Sequence, residues 1–188
     1  MKKLCLILLM MASAQYSFSQ TLSAVEMLTM LNCKDYNCIS EQVIPLGYDI
    51  TLNKETEGYK NYIFSSKQIY QNGSNVSITL PYRIEFTVRT EDKSVTLNHA
   101  IGNKEIRESL LEDFKKAGFE YVRATRTNSN FDNAATEYKS PSFPNLVLKV
   151  TNYEKKDKKR MYLEYDFELW RPLDIVVEKK PGLLEQKQ

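Results

Sequence analysis

Histidine is almost missing from this chain, with His99 its only example. Multi-histidine zinc sites are therefore excluded, and Ser-His-Asp or Cys-His chemistry would have to pass through that single ring. Glycine is scarce as well: six occur, none in a G-x-G-x-x-G or G-x-x-x-x-G-K arrangement, so no phosphate-cradling loop is present. No apolar run reaches the roughly 20 residues of a spanning helix; "LCLILLMMA", Leu4 to Ala12, is 9 long and no later stretch comes closer. Charge of neither sign prevails, with 26 basic against 24 acidic side chains.

What is there begins with an address. Lys2 and Lys3 precede the apolar run, and Ser13, Ala14, Ser17 and Ser19 follow it, the pattern of a secretory signal peptide. Cleavage after Ser19 is expected, with Ala14 the alternative. Removing residues 1–19 takes away two lysines and no acid, leaving 26 − 2 = 24 basic against 24 acidic side chains. A neutral mature chain offers no general attraction to nucleic acid or anionic membrane. Export to the periplasm or beyond the cell is expected, without a membrane span. There, Cys33 and Cys38 in "CKDYNC" read most simply as a disulfide. A redox dithiol or half a metal site are the rivals, but the spacing is not C-x-x-C and no second Cys/His pair completes four ligands. No metal or cofactor is expected.

One ending is written twice, "PLGYDIT" and "KAGFEYV", with the glycines 118 − 47 = 71 residues apart. Before the first, "SAVE" at 23–26 is a capping box opening a helix with Val25, Leu28 and Leu31 on one stripe. Asp35 caps a second helix with Ile39, Val43 and Ile44. Before the second, Asn103 caps a single helix with Ile106, Leu110, Leu111, Phe114 and Ala117 on one face, stopped by Gly118. After each glycine the period falls to two. Ile84, Phe86 and Val88 alternate with Arg83, Glu85, Thr87 and Arg89, and Val95, Leu97 and Ile101 return after an "EDK" turn. Leu146, Leu148 and Val150 lead to a polar "EKKDKK" turn. Then Met161, Leu163, Tyr165, Phe167 and Leu169 point inward, and Tyr162, Glu164, Asp166, Glu168 and Trp170 outward. Strands are also expected over 59–70, 76–80 and 173–177, with Asn72-Gly73 a hairpin signal. The expected fold is α+β: two tandem helix-then-antiparallel-sheet units, 20–101 and 102–177, with helices on one face of each sheet and a loose tail at 178–188.

Over Ser23 to Trp170, on "LGY", "AGF" and the strand alternation, this pattern resembles the tandem units of the secreted beta-lactamase-inhibitor proteins. One unit resembles the small lipoprotein of the outer-membrane assembly machinery, although no lipid-anchor cysteine follows the signal here. The chain also looks like short exported Gram-negative envelope proteins that carry a signal, a close cysteine pair and tyrosine-rich strands. The first two are non-enzymatic protein binders, and the resemblance implies that role.

The residues themselves point to little catalysis. His99 falls on the inward register without a nucleophile motif, as a structural histidine does. Glu164, Asp166 and Glu168 could form an acid-base pair or bind a cation, which is the alternative reading as a secreted hydrolase or cation-dependent enzyme. Acids opposite Lys149, Arg83 or Arg89 are also ordinary cross-strand pairs. The cations of 152–160 read as a solvated hairpin tip that discourages edge association. The mature chain keeps 12 − 1 = 11 tyrosines, Tyr16 leaving with the signal. Tyr153, Tyr162 and Trp170 beside Glu164 and Asp166 form the expected binding surface for a protein partner, since aromatics amid mixed charge make interface hot spots.

Overall fold

The computed structural model describes residues 22–66, 69–72, 75–78, 82–126, 134–157, 160–173, 175 and 177; at 69–72, 75–78, 125, 126, 134, 154–157 and 160–163 only the backbone is described. The expected signal peptide and tail lie outside these residues. Helix α1 (Ala24–Met30) opens on the predicted capping box, with Ser23 Oγ accepting from the Glu26 amide and Glu26 reaching back to the Ser23 amide at 2.6 Å. Asp35 caps α2 (Tyr36–Val43), and a single 3₁₀ turn over Ile44–Leu46 follows. Asn103 caps α3 (Lys104–Lys116) by accepting from the Ile106 amide. Cys33 and Cys38 are disulfide-bonded between α1 and α2, their Cα atoms 5.4 Å apart.

The two endings are built alike. At both, the glycine has φ of 85° and its amide donates three residues back, to Ile44 or Lys115. The aromatic amide donates five residues back, to Val43 at 3.3 Å or Phe114 at 3.0 Å. This is the Schellman arrangement, which needs a left-handed residue and so favours glycine. Tyr48 and Phe119 are then delivered into the core. A Cβ on Gly118 would also stand 3.2 Å from Ser140 Oγ. Gly118→Ala is accordingly expected to cost about 1–2 kcal/mol from the left-handed backbone, read as a lowered urea midpoint; an unchanged midpoint would refute the strain argument.

The strands are β1 (Asp49–Thr56), β2 (Tyr59–Ser66), β3 (Ile69–Asn72), β4 (Asn75–Ile78), β5 (Tyr82–Arg89), β6 (Ser94–Ile101), β7 (Glu120–Arg126), β8 (Ala134–Ser140), β9 (Phe143–Asp157) and β10 (Arg160–Pro172). Apart from the β3-β4 hairpin, they form one antiparallel sheet in the order β1-β2-β5-β6-β10-β9-β8-β7. The fold is α+β as expected, but the expectation of a separate sheet per unit is corrected. β6 and β10 pair along eight positions, from Tyr165 opposite Ile101 to Pro172 opposite Ser94. Each is apolar on one side, so joining them removes two edges and makes one continuous core.

That core lies between the sheet and the helices. Tyr62, Phe64, Ile84, Phe86, Leu97, Leu148, Phe167 and Leu169 are all buried. Tyr36 of α2 stacks on Phe64, and Phe114 of α3 on Phe167, with centroids 6.1 Å apart in both pairs. Full burial of one such ring contributes about 1.5–3 kcal/mol. The expected stripes hold for α3, except that Ile106 is only half-buried. In α1 the buried set is Ala24, Met27, Leu28 and Met30, with Leu31 just beyond, while Val25 is half-buried; Ile44 is exposed.

Of residues 173–177, expected as a strand, the described Leu173, Ile175 and Val177 lie outside any strand and are held as a strap. Leu173 N donates to Lys93 O at 2.7 Å, and Asn32 pairs with Val177 through both its Oδ1 and its Nδ2, each at 2.8 Å. Arg171, 2% exposed, donates to the carbonyls of Leu31, Pro172, Leu173 and Ile175. Of the expected six-residue polar turn at 154–159, residues 154–157 belong to β9, which runs on to Asp157, and the rest lies outside the described residues.

Candidate functional site

Strand alternation puts the predicted surface on the sheet face away from the helices. Tyr165, Phe167 and Leu169 are buried on the helix side, so Glu164, Asp166, Glu168 and Trp170 project from the far side. Tyr153 shares that side because it lies opposite Glu164. Trp170 stands between Thr96 and Val147 and is 38% exposed. Glu164, Glu168 and Tyr153 are half-buried. Tyr162 pairs with Lys155 along the backbone, and its side chain lies outside the described residues.

Asp166 corrects the expectation of a wet acid row, being only 8% exposed. It points to the far face between Ala100 and Thr151, and both are buried there, as is Ala135 beyond Thr151. Exposure on a sheet depends on neighbours across the strands, which one strand's alternation does not report.

One row across this face is polar throughout and alternates in charge from Glu168 to Arg123. Glu85 stands opposite Asn98, Asn98 opposite Glu168, Glu168 opposite Lys149, Lys149 opposite Glu137, and Glu137 opposite Arg123. Arg123 donates to both carboxylate oxygens of Glu137, from Nε at 2.7 Å and Nη2 at 3.3 Å. That hydrogen bond holds the Glu137 carboxyl below the usual carboxylate range, and nearby Lys139 and Lys149 act the same way. At the other end Asn61 Nδ2 donates to Glu85 Oε1 at 3.0 Å and to the Tyr59 hydroxyl at 2.9 Å. Of these, the pairing of Glu168 with Lys149 was legible in sequence; Arg123 with Glu137 was not, since the two lie 14 positions apart along the chain.

His99 is on the opposite face. It pairs with Phe167 and Ile84 and is fully buried. Its Nε2 shares a 3.2 Å hydrogen bond with the Tyr48 hydroxyl, and Tyr48 and Tyr82 flank the ring at 6.4 Å. Its Nδ1 has no hydrogen-bond partner among the described residues. Burial pushes its pKa down to about 3 and lifts the Tyr48 hydroxyl well above the usual phenol range. The sheet thus separates His99 from Glu164, Asp166 and Glu168, and one substrate group cannot reach both. Among the described residues no set of three or more His, Cys, Asp or Glu side chains is placed to hold a metal ion. No described helix is long and apolar enough to cross a membrane. No protein-family model matches the chain, and no curated protein or solved structure matches it either.

Proposed function

We propose that the chain is an exported, non-enzymatic protein-binding module, an inhibitor, immunity or envelope accessory protein, that engages its partner through the far face of the sheet. The observation that carries the reading is the half-exposed Trp170 beside a row in which Glu168, Lys149, Glu137 and Arg123 alternate in sign. An aromatic anchor supplies affinity, and alternating charge selects one partner's orientation and rejects others. The disulfide suits a periplasmic or secreted location.

The same reading takes the chain as two tandem helix-then-sheet units joined through β6 and β10. Its support is the strand order, in which β1-β2-β5-β6 is mirrored by β7-β8-β9-β10 across the β6-β10 seam. The two matched Schellman endings add to it, as do the irregularities in β1 and β7. These fall at Thr51 and Val122, each four residues after its glycine.

The test is capture from the cell envelope with tagged mature chain. A Tyr162→Ala, Trp170→Ala double variant should keep its thermal unfolding and lose at least about tenfold in capture of the partner, as removing a hot spot does. Equal capture by variant and wild type would eliminate this reading.

A further inference from the structure

Strand order leaves β1 and β7 as the two ends of the sheet. An end strand presents unpaired N–H and C=O groups, which proteins blunt with proline, charge or brevity. β1 is eight residues long, has no proline and is exposed throughout, with Ile50 and Leu52 each 40% exposed. Its irregularity removes Thr51 from the ladder, the Thr51 hydroxyl donating to Ile63 O at 3.0 Å. This changes which residues share a side. Asp49, Leu52 and Lys54 lie opposite Ser65, Ile63 and Asn61 on the far face, whereas Ile50 and Asn53 lie opposite Phe64 and Tyr62 on the helix face.

A second strand can continue the sheet only if facing residues project to the same side. Two antiparallel copies of β1 satisfy this over Asp49–Lys54 in one register; a shorter match over Leu52–Thr56 would set Lys54 against Lys54, like charges that disfavour it. Asp49 then faces Lys54 of the other copy, Ile50 faces Asn53, Thr51 faces Leu52, and the second half repeats these by two-fold symmetry. A slip of one residue sets Ile50 against Lys54, from opposite faces. A slip of two that lengthens the overlap sets Leu52 against Asn53, also from opposite faces. The matching register brings Asp49 to Lys54 twice. Among the described residues Asp49 is in no ion pair, and Lys54 Nζ rests 5.7 Å from the Tyr59 ring centroid.

The other edge does not pair with itself in this way. The equivalent register of β7 sets Glu120 against Thr125 and Tyr121 against Ala124, with no unlike charges. A β1-β7 contact matches faces with one unlike pair, Lys54 with Glu120, and propagates without closing.

We infer that β1 is a self-association edge, on which a second copy adds its own β1 antiparallel to give a closed two-fold pair with one sheet of 8 + 8 = 16 strands. Main-chain hydrogen bonds supply the attraction and the two Asp49-Lys54 contacts set the register.

Sedimentation equilibrium of the mature chain tests it, with circular dichroism and thermal melts checking the fold of each variant. Wild type is expected to be a reversible dimer. Asp49→Lys and Lys54→Asp should each raise the dimer dissociation constant about tenfold or more by turning two attractive contacts repulsive. The double variant, with the charges exchanged, should return to within about threefold of wild type. A chain monomeric to about 1 mM, or a dimer indifferent to either single change, overturns the inference. So does a double variant that stays weak while Glu120→Lys also weakens association, which would move the contact to β1-β7.

Discussion

Replacing Arg171 with methionine is expected to destabilise the fold by about 3 kcal/mol or more, the cost of emptying a buried, hydrogen-bonded cationic position. Arg171 is 2% exposed, and its Nε and Nη2 donate to Leu31 O at 2.8 and 2.6 Å, where α1 ends. Its Nη1 donates to Pro172 O at 2.8 Å, to Leu173 O at 3.1 Å and to Ile175 O. One planar group thereby ties the last strand, the strap after it and the first helix. Methionine fills similar space but leaves those carbonyls without these donors. Arg171→Lys should recover only part of the loss, because one ammonium cannot reach Leu31 and Ile175 together as a fork does. Urea unfolding gives the energy, and limited proteolysis should show faster cutting within 172–177. A methionine variant within about 1 kcal/mol of wild type would mean that water replaces the fork.

Acidification should destabilise the wild-type protein well before its carboxylates titrate, and His99→Gln should remove that sensitivity. In the fold the ring stays neutral, its pKa pushed down to about 3 by burial. In the unfolded chain it titrates at about 6.5. Between those values the unfolded state holds the extra proton, so stability is full above about pH 6.5 and falls as pH drops toward 3, by up to about 1.4 kcal/mol per unit. Because His99 is the only histidine, the upper part of the window belongs to it alone. Wild type should lose about 2 kcal/mol between about pH 6.5 and 5, and the glutamine variant, which keeps a polar partner for Tyr48, less than about 0.5. Urea midpoints at the two pH values decide it; equal losses would show that other groups carry the acid response.

The elements most readable in the sequence were those whose cause is local. Ser23, Asp35 and Asn103 cap their helices within three residues, and Gly47 and Gly118 end them within five. Strands half-buried by the core also wrote themselves plainly: Ile84, Phe86 and Val88, then Leu146, Leu148 and Val150, are buried as alternation predicts. β1 and β7 were not delineated, because β1 is exposed along its length and β7 over 120–124, and an exposed edge strand has no apolar face to imprint a period. Leu173, Ile175 and Val177 misled for the opposite reason. They look strand-like, yet Arg171 holds Leu173 and Ile175, and Asn32 holds Val177.

Of the candidate surface, Trp170's exposure and the side shared by Tyr153, Glu164, Glu168 and Trp170 were legible, since period two settles the side. The burial of Asp166 between Ala100 and Thr151, and the meeting of Arg123 with Glu137, were not. The amino-acid order by itself determined caps, glycine stops, facing and the disulfide pair, because each is settled within a few bonds of chain. Only the tertiary structure decided that β6 joins β10 to make one sheet, and that β1 stands at an open edge. Those outcomes depend on which distant strands pair, and hydrogen bonds between strands leave no mark on the side-chain pattern of either one.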